Sequence, residues 1–262
     1  MMTPITSLNE IKKLKLDYLK GYGSFETNYL INANELTSAI SNGLLSFIKE
    51  GSSIFIFYKT SHCYRLFYYS PTFQYLEADL KNLKIPFQYP VIMEKITNDL
   101  SSSFSSRPAL ILQKLTREVQ NISYEPSNEL LYASKNDVAE IENILINNFD
   151  PVLERVPDIS ELTSLCLNNE IALYKDLGKI KGLVIFCKKG AELHLRYWWV
   201  DSNFRNKRIG SRLLNEFFKI AIQSNSKKMT LFVDINNRNA INRYGHYGFH
   251  DDHTYDYIYK IQ

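Results

Sequence analysis

The run Val200-Asp201-Ser202-Asn203-Phe204-Arg205-Asn206-Lys207-Arg208-Ile209-Gly210-Ser211 concentrates residues able to hold an anion. A β-branched and aromatic stretch leads through a polar turn into a helix with apolar residues at helical spacing. The first backbone amides of a helix have no intrahelical acceptor and point outward, so an anionic group docks there readily. Gly210 lets the main chain come close to such a ligand. Arg205, Lys207, Arg208 and Arg212 add four positive charges within eight residues, and the whole suits a pyrophosphate. A second informative run, Asn239-Ala240-Ile241-Asn242-Arg243-Tyr244-Gly245-His246-Tyr247-Gly248-Phe249, reads as a short helix closed by a glycine turn.

Taken together and in this order, the two runs resemble the GNAT superfamily of acetyl-CoA-dependent N-acetyltransferases. Its cofactor loop follows the pattern Arg/Gln-x-x-Gly-x-Gly/Ala after a central strand. Arg205 opens that pattern, Gly210 closes it, and Arg208 stands where the middle glycine is usual. The second run is similar to the family's Asn-Ala-x-x-x-Tyr-x-x-x-Gly-Phe helix and turn, and the resemblance covers about residues 130–262. It implies a mixed, mostly antiparallel sheet flanked by helices, whose two central strands splay apart to take the pantetheine arm of acetyl-CoA. Trp199, Val200 and Asp201 would then border that arm, with the Val200 amide polarising the thioester carbonyl. Arg205, Asn206, Lys207, Arg208, Ile209, Gly210 and Ser211 would hold the phosphates. Asn239 would position the arm or cap its helix.

The same resemblance assigns acid and base. Tyr244 occupies the family's tyrosine position, where a phenol protonates the departing thiolate; the alternative is that its ring only packs. His194 stands six residues before Val200, where members with a strand carboxylate place their base. Strict alternation puts His194, Arg196, Trp198 and Val200 on one face, with Glu192 as the alternative base beside them, and an ordinary imidazole there would bend the pH profile near pH 6 to 7. The implied reaction is direct transfer of an acetyl group to a primary amine of a small molecule. Use of another acyl-CoA, or a non-catalytic acyl-CoA-binding module, are the rival readings.

Other constellations are weaker. His246, His250 and His253 lack accompanying carboxylate or thiol ligands, so no metal site is expected. His62-Cys63 reads as part of a turn. Cys63, Cys166 and Cys187 are scattered and odd in number, which fits buried thiols in a cytoplasmic protein.

The elements that must position these residues read as follows. Glu35–Glu50 is expected to be a helix stopped by Gly51, Ser53–Lys59 and Tyr64–Ser70 a hairpin, and Phe87–Thr97 and Ala109–Val119 strands. The polar stretch Gln120–Asn128, with Pro126, is the expected boundary between an N-terminal α+β domain (1–125) and the GNAT-like domain (126–262). Strand Leu130–Ala133, a helix Asp137–Phe149 behind the cap candidate Asn136, and helix Ser160–Asn168 follow. Then come strands Glu170–Asp176, Lys181–Lys188 and Glu192–Val200, helix Ile209–Gln223, strand Met229–Asp234, helix Asn239–Tyr244 and strand Thr254–Ile261. Ser101–Ser106 reads as a loop. The two halves share a faint plan, so the first is read as a degenerate GNAT-like repeat without the phosphate loop, binding no CoA.

Composition agrees with a packed globular chain. Of 262 residues 45% are hydrophobic and only 18 are glycine or proline, which excludes disordered and collagenous chains. The net charge of +3 is spread over both halves, so nucleic acid is not an expected partner. No segment has the length of apolar residues that a membrane span needs. The aromatic strands Ile54–Tyr58 and Tyr64–Tyr69 are expected to line either the cleft or a homodimer contact.

Overall fold

The computed structural model describes residues 2–29, 33–98, 104, 106–120, 122–125 and 127–261. Pro126 and most of the serine-rich loop expected at 101–106 lie outside the described residues. In chain order the first stretch holds β1 (Thr3–Pro4), α1 (Leu8–Tyr22), β2 (Glu26–Thr27), α2 (Ala33–Ser41), β3 (Leu45–Glu50), β4 (Ser53–Lys59), β5 (Tyr64–Ser70), α3 (Phe73–Asn82) and β6 (Val91–Thr97). The second holds β7 (Leu110–Glu118), β8 (Leu130–Tyr132), α4 (Val138–Asn148), α5 (Ile159–Leu167), β9 (Ile171–Asp176), β10 (Lys179–Lys189), β11 (Glu192–Val200), α6 (Ile209–Gln223), β12 (Lys228–Asp234), α7 (Arg238–His246) and β13 (His250–Lys260). The fold is α+β, mostly antiparallel sheet flanked by helices. None of the described helices is long and apolar enough to cross a membrane.

The chain forms two compact units, 1–111 with 255–262, and 112–254. This division does not coincide with a boundary at 125. β7 pairs along β12 from Leu112 to Glu118, so the polar stretch after it is a loop between two strands of the second unit's sheet. At the other end, Tyr255–Lys260 of β13 pair with β6 and so belong to the first unit.

In the first unit the sheet runs β1-β3-β4-β5-β6, with β13 outside β6 and β2 on β5. The hairpin β4–β5 has the expected limits. The helix expected over Glu35–Glu50 stops at Ser41, and Leu45 and Ile48 are buried in β3 instead. Their three-residue spacing is helical, and in β3 it puts them on opposite faces of the sheet, both of them buried; Asn42-Gly43 is a turn signal that the apolar periodicity masks. Gly51 sits in the β3–β4 turn and stops no helix. α1 is hidden in the sequence by its lysines. Ile11, Leu14 and Tyr18 form its buried face, and the Ser7 side chain caps it by accepting from the Glu10 amide.

The second unit's sheet runs β7-β12-β11-β10-β9-β8. On one face α6 buries Leu213, Leu214, Phe217 and Phe218 against Leu193, Leu195, Leu231 and Val233. On the other, α4 and α5 bury Ile141, Leu145, Leu162 and Leu165 against Leu173, Leu183, Ile185 and Tyr197. The turn before α4 is capped by Ser134 in a reciprocal box with Asp137, rather than by Asn136.

Two irregularities in β11 shape everything downstream. Opposite β10, Ile185 pairs with Tyr197 but Phe186 with Leu195, so Arg196 is an extra residue, a β-bulge. It reverses the faces: Leu193 and Leu195 share the α6 side with Trp198 and Val200, while Tyr197 and Trp199 lie on the α4–α5 side. The expected common face of His194 and Val200 is therefore not observed. Opposite β12, β11 pairs in parallel only from Glu192 to Leu195, with Lys228 to Leu231; beyond that point the two strands part.

α6 is pressed against β10 at Gly182, where a Cβ would come within 2.8 Å of Ile209 Cγ2 and 2.9 Å of Leu213 Cδ1. Both neighbours are fully buried, so neither can move aside cheaply. Gly182→Val should cost about 1–3 kcal/mol of stability, read as a lower Tm. Gly21→Ala, with open space around the position, should be neutral or stabilising in the same assay. Equal melting of wild type and Gly182→Val would contradict this account.

Candidate functional site

The site is built where β11 and β12 separate. The Asp201 amide donates to the Lys181 carbonyl across β10. Alternation then turns the Val200 and Trp198 amides to the other edge, toward the gap that β12 has left. These are strand donors without a strand partner.

The loop after β11 is organised by its own charges. Asp201 accepts from the Asn203 amide at 3.0 Å and pairs with Lys181 at 3.0 Å, which holds its carboxyl below the usual range, the lysine bond being the largest cause. The ammonium groups of Lys181 and Lys207 lie over the Phe204 ring at 5.0 and 4.3 Å. Asn206 and Arg208 both have left-handed backbones, with φ of 63° and 57°. That explains why a glycine is usual at the position of Arg208. Arg212 is drawn back into the loop's own structure by Glu129 and by the Lys207 carbonyl.

Arg208 is the residue before α6 and supplies no side-chain cap. The first intrahelical bond runs from the Arg212 amide to the Arg208 carbonyl, so the amides of Ile209, Gly210 and Ser211 emerge without helical acceptors. Gly210 has a second reason to be glycine that the sequence did not reveal. The indole of Trp198 lies over it, with Nε1 donating to the Gly210 carbonyl at 3.2 Å, and a Cβ would meet that ring at 3.1 Å. Ser211 Oγ shares a 2.8 Å hydrogen bond with Tyr247 Oη.

Trp198 also reaches α7. Its ring centroid is 5.6 Å from that of Tyr244, which in turn meets Phe249 at 5.9 Å. Burial pushes the Tyr244 phenol above its ordinary range, so the group is protonated at neutral pH, and its hydroxyl has no hydrogen-bond partner among the described residues. Asn239 does not cap α7; the Asn237 side chain does, accepting from the Ala240 amide at 3.1 Å. Asn239 is exposed at the start of that helix.

The two base candidates lie elsewhere. His194 is in the stretch where β11 and β12 are still paired, about 20 Å along the strand from Val200, with Nδ1 3.0 Å from Thr230 Oγ1. Burial, then the charges of Lys189, Arg196, Lys114 and Arg155, drive its imidazole down to about 3. An imidazole so shifted would titrate well below the expected inflection near pH 6 to 7. Glu192 begins the strand and faces Lys114 at 3.7 Å. A carboxyl the sequence gave no signal for is Glu154, in the irregular stretch between α4 and α5. Burial raises its pKa, helped by the charges of Asp150 and of Asp234, the last residue of β12. The Tyr197 hydroxyl pins the carbonyls of Glu154 and Arg155 at 2.7 and 2.9 Å.

The model of the acetyltransferase (GNAT) family matches residues 136–249, spanning the parted strands, the loop and α7. These residues form a GNAT acetyltransferase domain. The protein therefore carries an acyltransferase, of a family whose donors are acyl-CoA thioesters. A GNAT-family acetyltransferase from Colwellia psychrerythraea is 14% identical, with 100% of each chain covered and a TM-score of 0.58. A GCN5-related N-acetyltransferase from Sphaerobacter thermophilus is 14% identical over 100% of this chain and 96% of its own, with a TM-score of 0.56. Because both likenesses run through the N-terminal half, that half is GNAT-like in fold as well. No curated protein sequence matches the chain significantly.

Two outcomes test this geometry. Left-handed backbone costs a side-chain-bearing residue about 1–2 kcal/mol, more than the roughly 0.5–1 kcal/mol that glycine's extra freedom costs. Arg208→Gly should therefore hold or raise Tm, whereas Arg212→Gly, inside α6, should lower it; a clear loss in Arg208→Gly refutes the strain. The second outcome concerns pH. His194 has a lower pKa folded than unfolded, so below pH 6.5 the unfolded chain gains a proton that the folded chain refuses. Stability should fall between pH 6.5 and about 3, by up to ~1.4 kcal/mol per pH unit from this residue. His194→Gln should flatten that slope, and an unchanged slope would show the imidazole to be solvated.

Proposed function

We propose that the protein is an N-acetyltransferase that moves an acetyl group from acetyl-CoA to a primary amine of a small molecule by direct transfer. The observation that carries this reading is the parting of β11 and β12 after the Leu195–Leu231 pair, beside a helix start with three amides lacking helical acceptors. An extended amide-bearing arm fits the open edge of β11, and a pyrophosphate fits the amides of Ile209, Gly210 and Ser211 with Arg205, Lys207 and Arg208 around them. Ser211 lies in the same first turn of α6, and Trp199 and Asp201 flank Val200 along the strand; Asn239, exposed at the start of α7, would reach the arm from that helix.

The donor supplies an activated thioester carbonyl. The Trp198 and Val200 amides, fixed by the pairing of β11 with β10, stabilise the negative charge that develops on its oxygen when an amine attacks. Tyr244 holds a proton for the departing sulfur. Its raised pKa keeps it protonated, and the packing of Trp198 and Phe249 fixes its ring. Glu154, with its raised carboxyl pKa and within the electrostatic reach of Asp234 at the end of β12, is our candidate proton acceptor in place of His194 and Glu192.

Acetyl-CoA at a hundredfold excess over Kd should stabilise the protein by about 2.7 kcal/mol. A thermal-shift series with CoA, acetyl-CoA and longer acyl-CoAs, followed by turnover on a panel of amines, separates acetyl transfer from use of another acyl group and from binding alone. No binding at millimolar acetyl-CoA would sink the proposal. Tyr244→Phe should lower kcat by ~10²-fold or more while leaving acetyl-CoA affinity nearly unchanged; lost affinity would instead make its hydroxyl a binding group.

A further inference from the structure

The first unit has a parting of strands built like that of the second. β5 and β6 pair in parallel only at Tyr64–Val91, Arg65–Ile92 and Leu66–Met93. The other edge of β5 is fully occupied by β4, in an unbroken register from Tyr64 to Tyr69. Beyond Leu66 the edge facing β6 is therefore open to a ligand, as the edge of β11 is beyond Leu195. In this unit it already has an occupant.

Residues 26–28 of the same chain lie along it. Glu26 and Thr27 pair in antiparallel fashion with Ser70 and Tyr69. Thr27 Oγ1 donates to the Tyr68 carbonyl at 2.6 Å. At the fork itself sits the side-chain amide of Asn28. Its Nδ2 donates to the Leu66 carbonyl of β5 at 3.0 Å and to the Glu94 carbonyl of β6 at 2.8 Å, while its Oδ1 accepts from the Tyr68 amide at 3.0 Å. One primary amide thus satisfies backbone groups on both strands where they can no longer reach each other.

We propose that the N-terminal unit contains a second gap able to take an extended, amide-bearing chain, and that the protein fills it in cis with residues Glu26–Asn28, leaving one acyl-CoA site per chain. The comparison rests on reading the C-terminal gap as the place of the acyl-CoA arm. The equivalence is close in register. Tyr68 lies two residues past the last pair and Trp198 three, the difference being the bulge residue Arg196, so the amide that Asn28 satisfies corresponds to one that the second unit leaves open. The turn after the strand also differs. Only Pro71 and Thr72 separate β5 from α3, and the Thr72 side chain already accepts from the Tyr75 amide, so the phosphate-binding end is absent while the arm-binding edge persists.

Calorimetry and hydrogen exchange on the full chain test the proposal separately. CoA should bind wild-type protein at one per chain, and Gly210→Asp should remove that binding entirely; a second CoA, or binding that survives Gly210→Asp, overturns the single-site claim. Asn28→Ala should speed exchange of the Tyr68 amide by about tenfold or more and lower Tm by several degrees. Thr27→Val, a milder change, should produce a smaller loss. Unaltered exchange at Tyr68 in Asn28→Ala would show that the segment merely rests on the edge. These exchange readouts need no ligand, so absence of CoA binding by the wild type would defeat the acetyltransferase reading and leave the filled gap standing.

Discussion

A backbone amide taken from water must find an acceptor, and the C-terminal unit is organised around a place where this rule is left unmet. β11 needs partners on both edges, finds β10 along its whole length, and loses β12 after four residues. Separation of two central strands would ordinarily cost the exposed groups their hydrogen bonds. Here the cost is confined to one edge. The bulge at Arg196 lets the far half of β11 keep its bonds to β10 while presenting new faces to the helices. α6, seated on Gly182 and with its own Gly210 against Trp198, then brings a second set of unsatisfied amides beside the first. In the function proposed above, an extended ligand with a phosphate at one end would supply acceptors for both.

The two units solve the same backbone problem differently. In the first, Asn28 and its neighbours satisfy the fork permanently, and a two-residue turn follows the strand. In the second, eight residues separate β11 from α6, two of them in left-handed conformations, and the fork stays open. Fold likeness over the full chain is thus compatible with unlike chemistry in the two halves, because what distinguishes them is local: one asparagine side chain, one bulge and the length of one turn.

Much of this was legible in residue types, and the rest depended on register and packing. Arg205, Gly210 and Tyr244 stand where the resemblance to the family's two motifs puts them, so the loop and the helix after β12 were legible through that resemblance. The limits of β4, β5, β11 and α6 were equally plain from apolar patterning. Alternation along β11 failed at Arg196, because a bulge is decided by the partner strand. Leu45 and Ile48 have helical spacing and mislead because β3 is buried at both positions on opposite faces, and only Asn42-Gly43 told against the helix. His194 looked like a base by position, yet its surroundings, four cations and a buried pocket, arrive from distant parts of the chain. Gly182 carried no signal at all, since its significance lies in what α6 places against it.

The tryptophan content of the chain acquires a meaning from β11. There are two tryptophans in the sequence, Trp198 and Trp199, adjacent on this one strand and turned to opposite faces of the sheet. Trp198 is bonded to Gly210 and flanked by Tyr244, Tyr247 and the Arg243 guanidinium, whereas Trp199 packs on the α4–α5 side. The tryptophan fluorescence of the protein, excited beyond the tyrosine absorption band, is therefore the emission of a single strand, one indole lying directly under the first turn of α6 and the other across the sheet from it. An optical signal that in most proteins averages over the whole molecule is here confined by the fold to the fork between β11 and β12.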